Sequence, residues 1–212
     1  MIDLEPLFGL RLRTPRLELR LGTQDEIDEL GSLATRGIHP PDEMPFGVAW
    51  TDGIGRPGFR ESFAAFHRNQ CESWSPHDWH LDLVVWADGE LVGNQELYAK
   101  SFRETLIVGS GSWLGAAFQG RGIGTEMRTA VLELAFRGLG AAAATSGWLE
   151  GNRASARVSE KLGYCETGIS EISPRGVPVP HHDLRLERDD WVPPFPVEIS
   201  GLDPALPLFG GV

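Results

Sequence analysis

The sequence predicts an α/β fold, one domain in which helices pack against a mixed β-sheet. Three observations lead there. The middle of the chain reads as a meander: His80–Trp86 is an apolar strand, Asp88-Gly89 carries a hairpin signal, and Glu90–Ala99 and Thr105–Leu114 return as second and third strands. That meander runs through a glycine-dense junction, Gly115–Gly124 (GAAFQGRGIG), into a helix with the stripe Ile123, Met127, Ala130, Val131, Leu134, and Ala141–Leu149 follows as a further strand. A strand, a helix and a strand in succession make one parallel crossover inside an otherwise antiparallel arrangement. Finally, 212 residues with 41% hydrophobic content fit one large domain, or two very small ones, and can fill one core.

Each remaining element has its own signal. Leu17–Leu21 alternates apolar and polar residues and reads as a first strand. Thr23-Gln-Asp-Glu26 is a capping box opening a helix with Ile27, Leu30 and Ala34 on one face. Residues 37–58 are rich in Pro and Gly, aperiodic and long for a loop, and such loops are often functional. Here Trp50, His39, Asp42 and Glu43 either line an acceptor pocket or form a solvated lid. Phe59, Phe63 and Phe66 recur at helical spacing, so a second helix runs to about Cys71 and buries them in the core. The helix after the junction stops at Gly138–Gly140. Asn152 begins a short helix with Ala154, Val158 and Leu162 on one face, ended by Gly163; Tyr164–Ile169 and His182–Glu187 complete the strands. From Trp191 the chain is Pro-rich and aperiodic. Composition favours a disordered tail over residues 192–212, appended to a domain of residues 1–191; if ordered, it must pack on something, another subunit included.

Charge and composition narrow the function. The net charge is −11, with a pI of about 5.0, which disfavours nucleic acid as a partner and suits a cationic amine. No apolar run approaches a membrane span and the N-terminus lacks a signal-like segment, so a soluble cytoplasmic protein without a membrane partner is expected. Cys71 and Cys165 are too few for a disulfide framework. His181 and His182 point to opposite sides of a strand, and no metal site is expected.

The junction carries the chemistry. Gly120, Gly122 and Gly124 let the backbone turn sharply and aim several N–H groups at one point, at the start of a helix whose first amides lack internal acceptors. Such an arrangement holds a phosphate or diphosphate.

Gln119-Gly-Arg-Gly-Ile-Gly124 resembles the Q/R-x-x-G-x-G/A signature of the GNAT superfamily of acyl-CoA-dependent N-acyltransferases. Asn152–Tyr164 resembles the segment that ends the cofactor site there. The fuller pattern is similar to the ribosomal-protein N-terminal acetyltransferase (RimJ/RimL-like) branch: Thr14-Pro-Arg-Leu-Glu-Leu, Gly111-Ser-Trp-Leu, Asn-x-x-Ser and Arg185-Leu-Glu-Arg-Asp-Asp-Trp191, together covering residues 10–191. This resemblance implies a mostly antiparallel sheet of about seven strands with a splayed parallel central pair, flanked by about four helices. It implies acyl-CoA, acetyl by default and succinyl as an alternative, as donor, with no metal. It also implies an amine acceptor, a protein N-terminus or a small amine, and a homo-oligomer.

On that resemblance, the amides of Gly120, Arg121, Gly122, Ile123, Gly124 and Thr125, with Gln119 and the charges of Arg121 and Arg157, hold the diphosphate. Trp113, Leu114 and Gly115 pair through their backbone with the pantetheine, the Leu114 N–H polarises the thioester carbonyl, and Asn152 anchors the arm from the other side. The amine attacks directly, so neither cysteine has a catalytic role. Many members place a tyrosine on the last short helix as the acid; this chain offers Ser159 there and Ser155 one turn earlier, and Ser155 is favoured. Glu150 and Glu96 are the candidate bases. Two other classes stay open: an acyl-CoA-binding domain without catalysis, and a dinucleotide-dependent oxidoreductase, whose fingerprint the G-x-G-x-G spacing imitates.

Overall fold

The computed structural model describes residues 2–210. Nine strands form one sheet: β1 (Arg11–Arg13), β2 (Leu17–Leu21), β3 (Trp79–Ala87), β4 (Glu90–Ala99), β5 (Ile107–Leu114), β6 (Ala143–Leu149), β7 (Cys165–Ile172), β8 (Val179–Glu187) and β9 (Glu198–Ser200). Their order across the sheet is β7-β8-β6-β5-β4-β3-β2-β1-β9, and β5–β6 is the parallel pair among antiparallel neighbours. The β3–β4 turn is the expected Asp-Gly hairpin, with Asp88 and Gly89 both at positive φ.

Two helices, α1 (Gln24–Thr35) and α2 (Phe59–Glu72), cover one face of the sheet, where Ile27, Leu30, Leu33, Phe63 and Ala64 pack with Val84 and Leu91. The α1 capping box forms in full, Thr23 and Glu26 each serving the other's backbone N–H. Beneath the opposite face run α4 (Ile123–Glu133), which continues as one π-turn over Leu134–Gly138, and α5 (Arg153–Lys161). The larger core lies there, with Ile123, Met127, Ala130 and Val131 of α4 against Leu12, Leu19, Leu81 and Leu97.

The sheet has two strands more than the seven expected. These are β1 and β9, three residues each and too short to show a period. A single turn, α3 (Phe102–Thr105), precedes β5, so that strand begins at Ile107 and not at Thr105. Disorder, which composition favours after Trp191, is not what the structure shows. Chain 197–210 returns to its own domain: β9 pairs with β1, Phe209 is fully buried among Trp74, Trp79 and Phe102, and Leu208 O accepts from Trp74 Nε1 at 2.8 Å. A handful of aromatic contacts far away in sequence outweigh a composition that cannot form regular structure by itself.

Candidate active site

The loop after β5 is built by backbone angles. Gly120 and Gly122 sit at φ +74° and +81°, a region that L side chains rarely adopt, and Gly122 is the N-cap of α4. From Gly120 to Thr125, none of the six amide N–H groups donates to an acceptor among the described residues; the first intrahelical bond is Glu126 N–H to Gly122 O. Six free donors at the start of a helix suit a diphosphate. The helix end is braced from β2: buried Glu126 accepts from Thr14 Oγ1 (2.6 Å), from the Arg16 backbone N–H (3.0 Å) and from Arg16 Nε (2.6 Å). Arg16 also donates to Arg121 O at 3.1 Å and leaves its half-exposed guanidinium beside the loop. The Thr-Pro-Arg signature near the start of the chain thus ties β2 to the N-terminus of α4.

The parallel ladder of β5 and β6 runs from Ile107↔Ala143 to Gly109↔Thr145 and stops. From Ser110 to Leu114, β5 has no partner on its β6 side, so the sheet opens into a cleft. Gly115 N–H donates across to Val92 O on the β4 side, and strand alternation turns the Leu114 and Ser112 amides toward the gap. Gln119 stands at the loop with its amide engaged inside the protein, donating to Leu114 O (2.9 Å) and Ile38 O (2.7 Å). It fixes the end of β5 and the start of the 37–58 loop.

Across the cleft, Asn152 caps α5: its Oδ1 accepts from Ser155 N–H at 3.1 Å and its Nδ2 donates to Pro45 O at 3.3 Å. Each polar atom of that amide has one partner in the protein and capacity for a second, and Ser155, half-buried beside it, has a hydroxyl without a partner among the described residues. Arg157 is exposed on α5. Glu150 is exposed at the end of β6 and bound to His182 Nε2 at 2.9 Å, while His182 Nδ1 meets Glu166 at 2.7 Å and the ring stacks on Trp148. Glu166 and then Glu150 hold the His182 imidazole above the ordinary histidine range.

The α1/α2 side of the cleft carries carboxylate–histidine pairs. Glu96 of β4 lies opposite Gly111, with its Oε2 3.1 Å from where a Cβ on that glycine would stand, and accepts from His80 Nδ1 at 2.6 Å. That hydrogen bond raises the His80 pKa despite partial burial. Tyr98 lies over Gly109 and His181 over Gly147, each at a distance no Cβ would permit. Three glycines on β5 and β6 thus clear a trough walled by Tyr98, Glu96, His181 and Trp113. The 37–58 loop roofs it, pinned by Gln119 and Asn152 and by Arg175 of the β7–β8 turn, which grips Asp52 through two nitrogens. Its Trp50 packs 5.7 Å from Trp113.

Two residues of this site escape a reading of the sequence. Ser112 is read only as a member of the Gly111-Ser-Trp-Leu resemblance, where nothing marks its hydroxyl. Arg128 stands in the middle of an α4 that is buried nearly all round, and a lone arginine in such a helix is the signal that could have found it.

The sequence matches the acetyltransferase (GNAT) domain family over residues 16–164, more than half the chain. The chain belongs to the GNAT acetyltransferase family. Solved structures share the fold at low identity. RimL, a ribosomal L7/L12 α-N-protein acetyltransferase solved with coenzyme A, superposes with a TM-score of 0.67 at 15% identity, over 84% of this chain and 97% of its own. Mycobacterium smegmatis RimJ, solved with CoA-disulfide, gives 0.66 at 16%, over 87% and 90%. The ribosomal-protein-S5-alanine acetyltransferase of Vibrio fischeri gives 0.63 at 14%, over 86% and 99%. As a GNAT enzyme the protein is an N-acetyltransferase that moves an acyl group from coenzyme A. The oxidoreductase reading falls with this result, and with the antiparallel β3–β4–β5 meander where successive βαβ units would be needed. Among the described residues no group of three or more metal-ligating side chains gathers, and no helix is long and apolar enough to cross a membrane.

Proposed function

We propose that this GNAT enzyme transfers an acyl group, acetyl by default and succinyl as the alternative, from its CoA thioester to a primary amine that attacks the carbonyl directly. The row of six amides without acceptors carries this reading. With Arg16, Arg121 and Arg157 nearby, Gly120 to Thr125 hold the diphosphate, and the open edge of β5 from Ser112 through Trp113 and Leu114 to Gly115 takes the pantetheine. The Leu114 N–H polarises the carbonyl, with the Ser112 N–H the neighbouring donor on the same edge. Asn152 and Gln119 act by holding the two walls of the cleft in place.

Glu96 serves as base, ahead of Glu150. It opens onto the trough over unsubstituted Gly111, whereas Glu150 is bound to His182 at the sheet's rim. Ser155 is the hydroxyl within reach on α5. A trough holding Glu96 on a protein of net charge −11 suits a cationic acceptor, a protein N-terminus as for the α-N-protein acetyltransferase RimL or a small amine. The same reading makes the protein a cytoplasmic homo-oligomer with no nucleic-acid or membrane partner.

A thiol-release assay with acetyl-CoA and succinyl-CoA, run against N-terminal peptides and small amines, tests it. Turnover with at least one pair is expected; CoA binding without turnover under any pair would leave only a binding domain. By calorimetry, Gly122→Glu should weaken CoA binding by about 100-fold, close to 2.7 kcal/mol, through both the lost backbone angle and the added charge.

A further inference from the structure

Arg128 is a buried cation with no anion. Its residue is 4% exposed, and its terminal nitrogens donate to three hydroxyls, Ser146 Oγ (3.2 Å), Ser159 Oγ (3.1 Å) and Ser112 Oγ (3.3 Å). The buried Nε has no partner at all. Among the described residues no carboxylate pairs with it. The Tyr164 phenol, also buried, has its pKa raised by desolvation and so offers no counter-charge. A guanidinium keeps its proton inside a protein, so the charge is real, and burying a charge without a counter-ion costs several kcal/mol. Burial pulls the Arg128 pKa down, the mark of an environment that does not compensate it.

The position gives that cost a purpose. Ser112 belongs to the open edge of β5 and Ser146 is the first β6 residue past the last ladder pair, Gly109↔Thr145. Both are half-buried, and between them they floor the closed end of the cleft. An arm laid along β5 from the amide cradle brings its thioester to this end. Ser159, the third partner, stands on the short helix where many GNAT enzymes carry a tyrosine as acid; the residue is 1% exposed and its hydroxyl is bound to Arg128. At the family's tyrosine position this chain thus sets a serine that is committed to the guanidinium.

We propose that Arg128 receives the negative charge of the departing sulfur. The inference rests on the cleft being the acyl-CoA site. The amine nitrogen forms the new C–N bond and its proton passes to the base. As the tetrahedral centre collapses the C–S bond breaks, and its electron pair goes to sulfur. The thiolate leaves as an anion beside the guanidinium, which keeps all its protons, and takes a proton from water after release. A fixed charge aimed at an anion that exists only late in the reaction favours the transition state over the bound thioester.

The test titrates the thiol of bound coenzyme A by its thiolate absorbance, with desulfo-CoA as blank. In the wild type the bound thiol should ionise about one pH unit or more below free CoA; an unchanged or higher value overturns the inference while leaving CoA binding, and with it the proposed function, intact. No CoA binding by calorimetry sinks both. Arg128→Met should return the bound thiol to the free value or above and lower kcat by about 100-fold with acetyl-CoA and succinyl-CoA alike. A loss confined to succinyl-CoA would show that the guanidinium reads a carboxylate on the acyl chain, and the inference would fail. Adding Ser159→Tyr to Arg128→Met rebuilds an acid on α5, and should recover part of the lost kcat without restoring the low thiol pKa.

Discussion

The two faces of the sheet do different work. Beneath it, α4 and α5 share a large apolar core into which the C-terminal segment also packs, and one of its polar interruptions is a cation, Arg128, set among serines. Above it, α1 and α2 enclose a much smaller cluster, and beside that cluster lies a trough in which Glu96 and the His80 and His181 imidazoles stand near bare glycines. Apolar burial is concentrated on the face of α4 and α5, while the trough lies on the face of α1 and α2. On the proposed reading the charges run in one sense through the cleft: carboxylate where a proton leaves the ammonium, guanidinium where negative charge arrives. On that reading the splayed pair of strands lets both faces act on one carbonyl, because there the sheet ceases to separate them.

The contrast can be broken from either side. The largest effect is expected from the core: Phe209→Ala should destabilise the fold by about 4 kcal/mol, a fall in denaturant midpoint that a detached tail would not produce. On the other face, Glu96→Gln should lower kcat/KM by about 100-fold while calorimetric CoA affinity stays constant; an equal loss with Glu150→Gln and none with Glu96→Gln would move the base to the rim. Asp52→Ala releases one pin of the roof, and since the Asp52–Arg175 pair is a solvent-screened surface pair the denaturant midpoint should hardly move. The KM for the acceptor should rise a few-fold and that for CoA should not move.

The smallest effect is a titration. Glu96 holds the His80 pKa above its unfolded value, so the pair's stabilisation is fully present below the ordinary histidine pKa and fades as pH rises through the higher folded value. Proton NMR should find His80 titrating lower in Glu96→Gln than in the wild type.

Much of this was legible one residue at a time. The Asp88-Gly89 turn, the Thr23–Glu26 capping box, the limits of β4 and the stop at Gly163 are local signals, and each forms where the sequence reads it. The Gly120–Gly124 loop is local too, since positive φ and the start of a helix are neighbours along the chain. Less visible were β1 and β9, which are strands only because each pairs with another piece distant in sequence. The duties of Gln119 and Asn152 were likewise hidden, because their amides meet carbonyls of a loop about 80 and 107 residues away.

By itself, then, the sequence determined the order of elements, the glycine turn and the row of amides it frees, because backbone angles and helix starts depend on adjacent residues. Only the tertiary structure decided which strands part, which carboxylate stands over the gap and that a guanidinium lies unpaired beneath it. Those properties belong to groups brought together across the sheet, and burial and charge compensation exist only once the chain has closed around them.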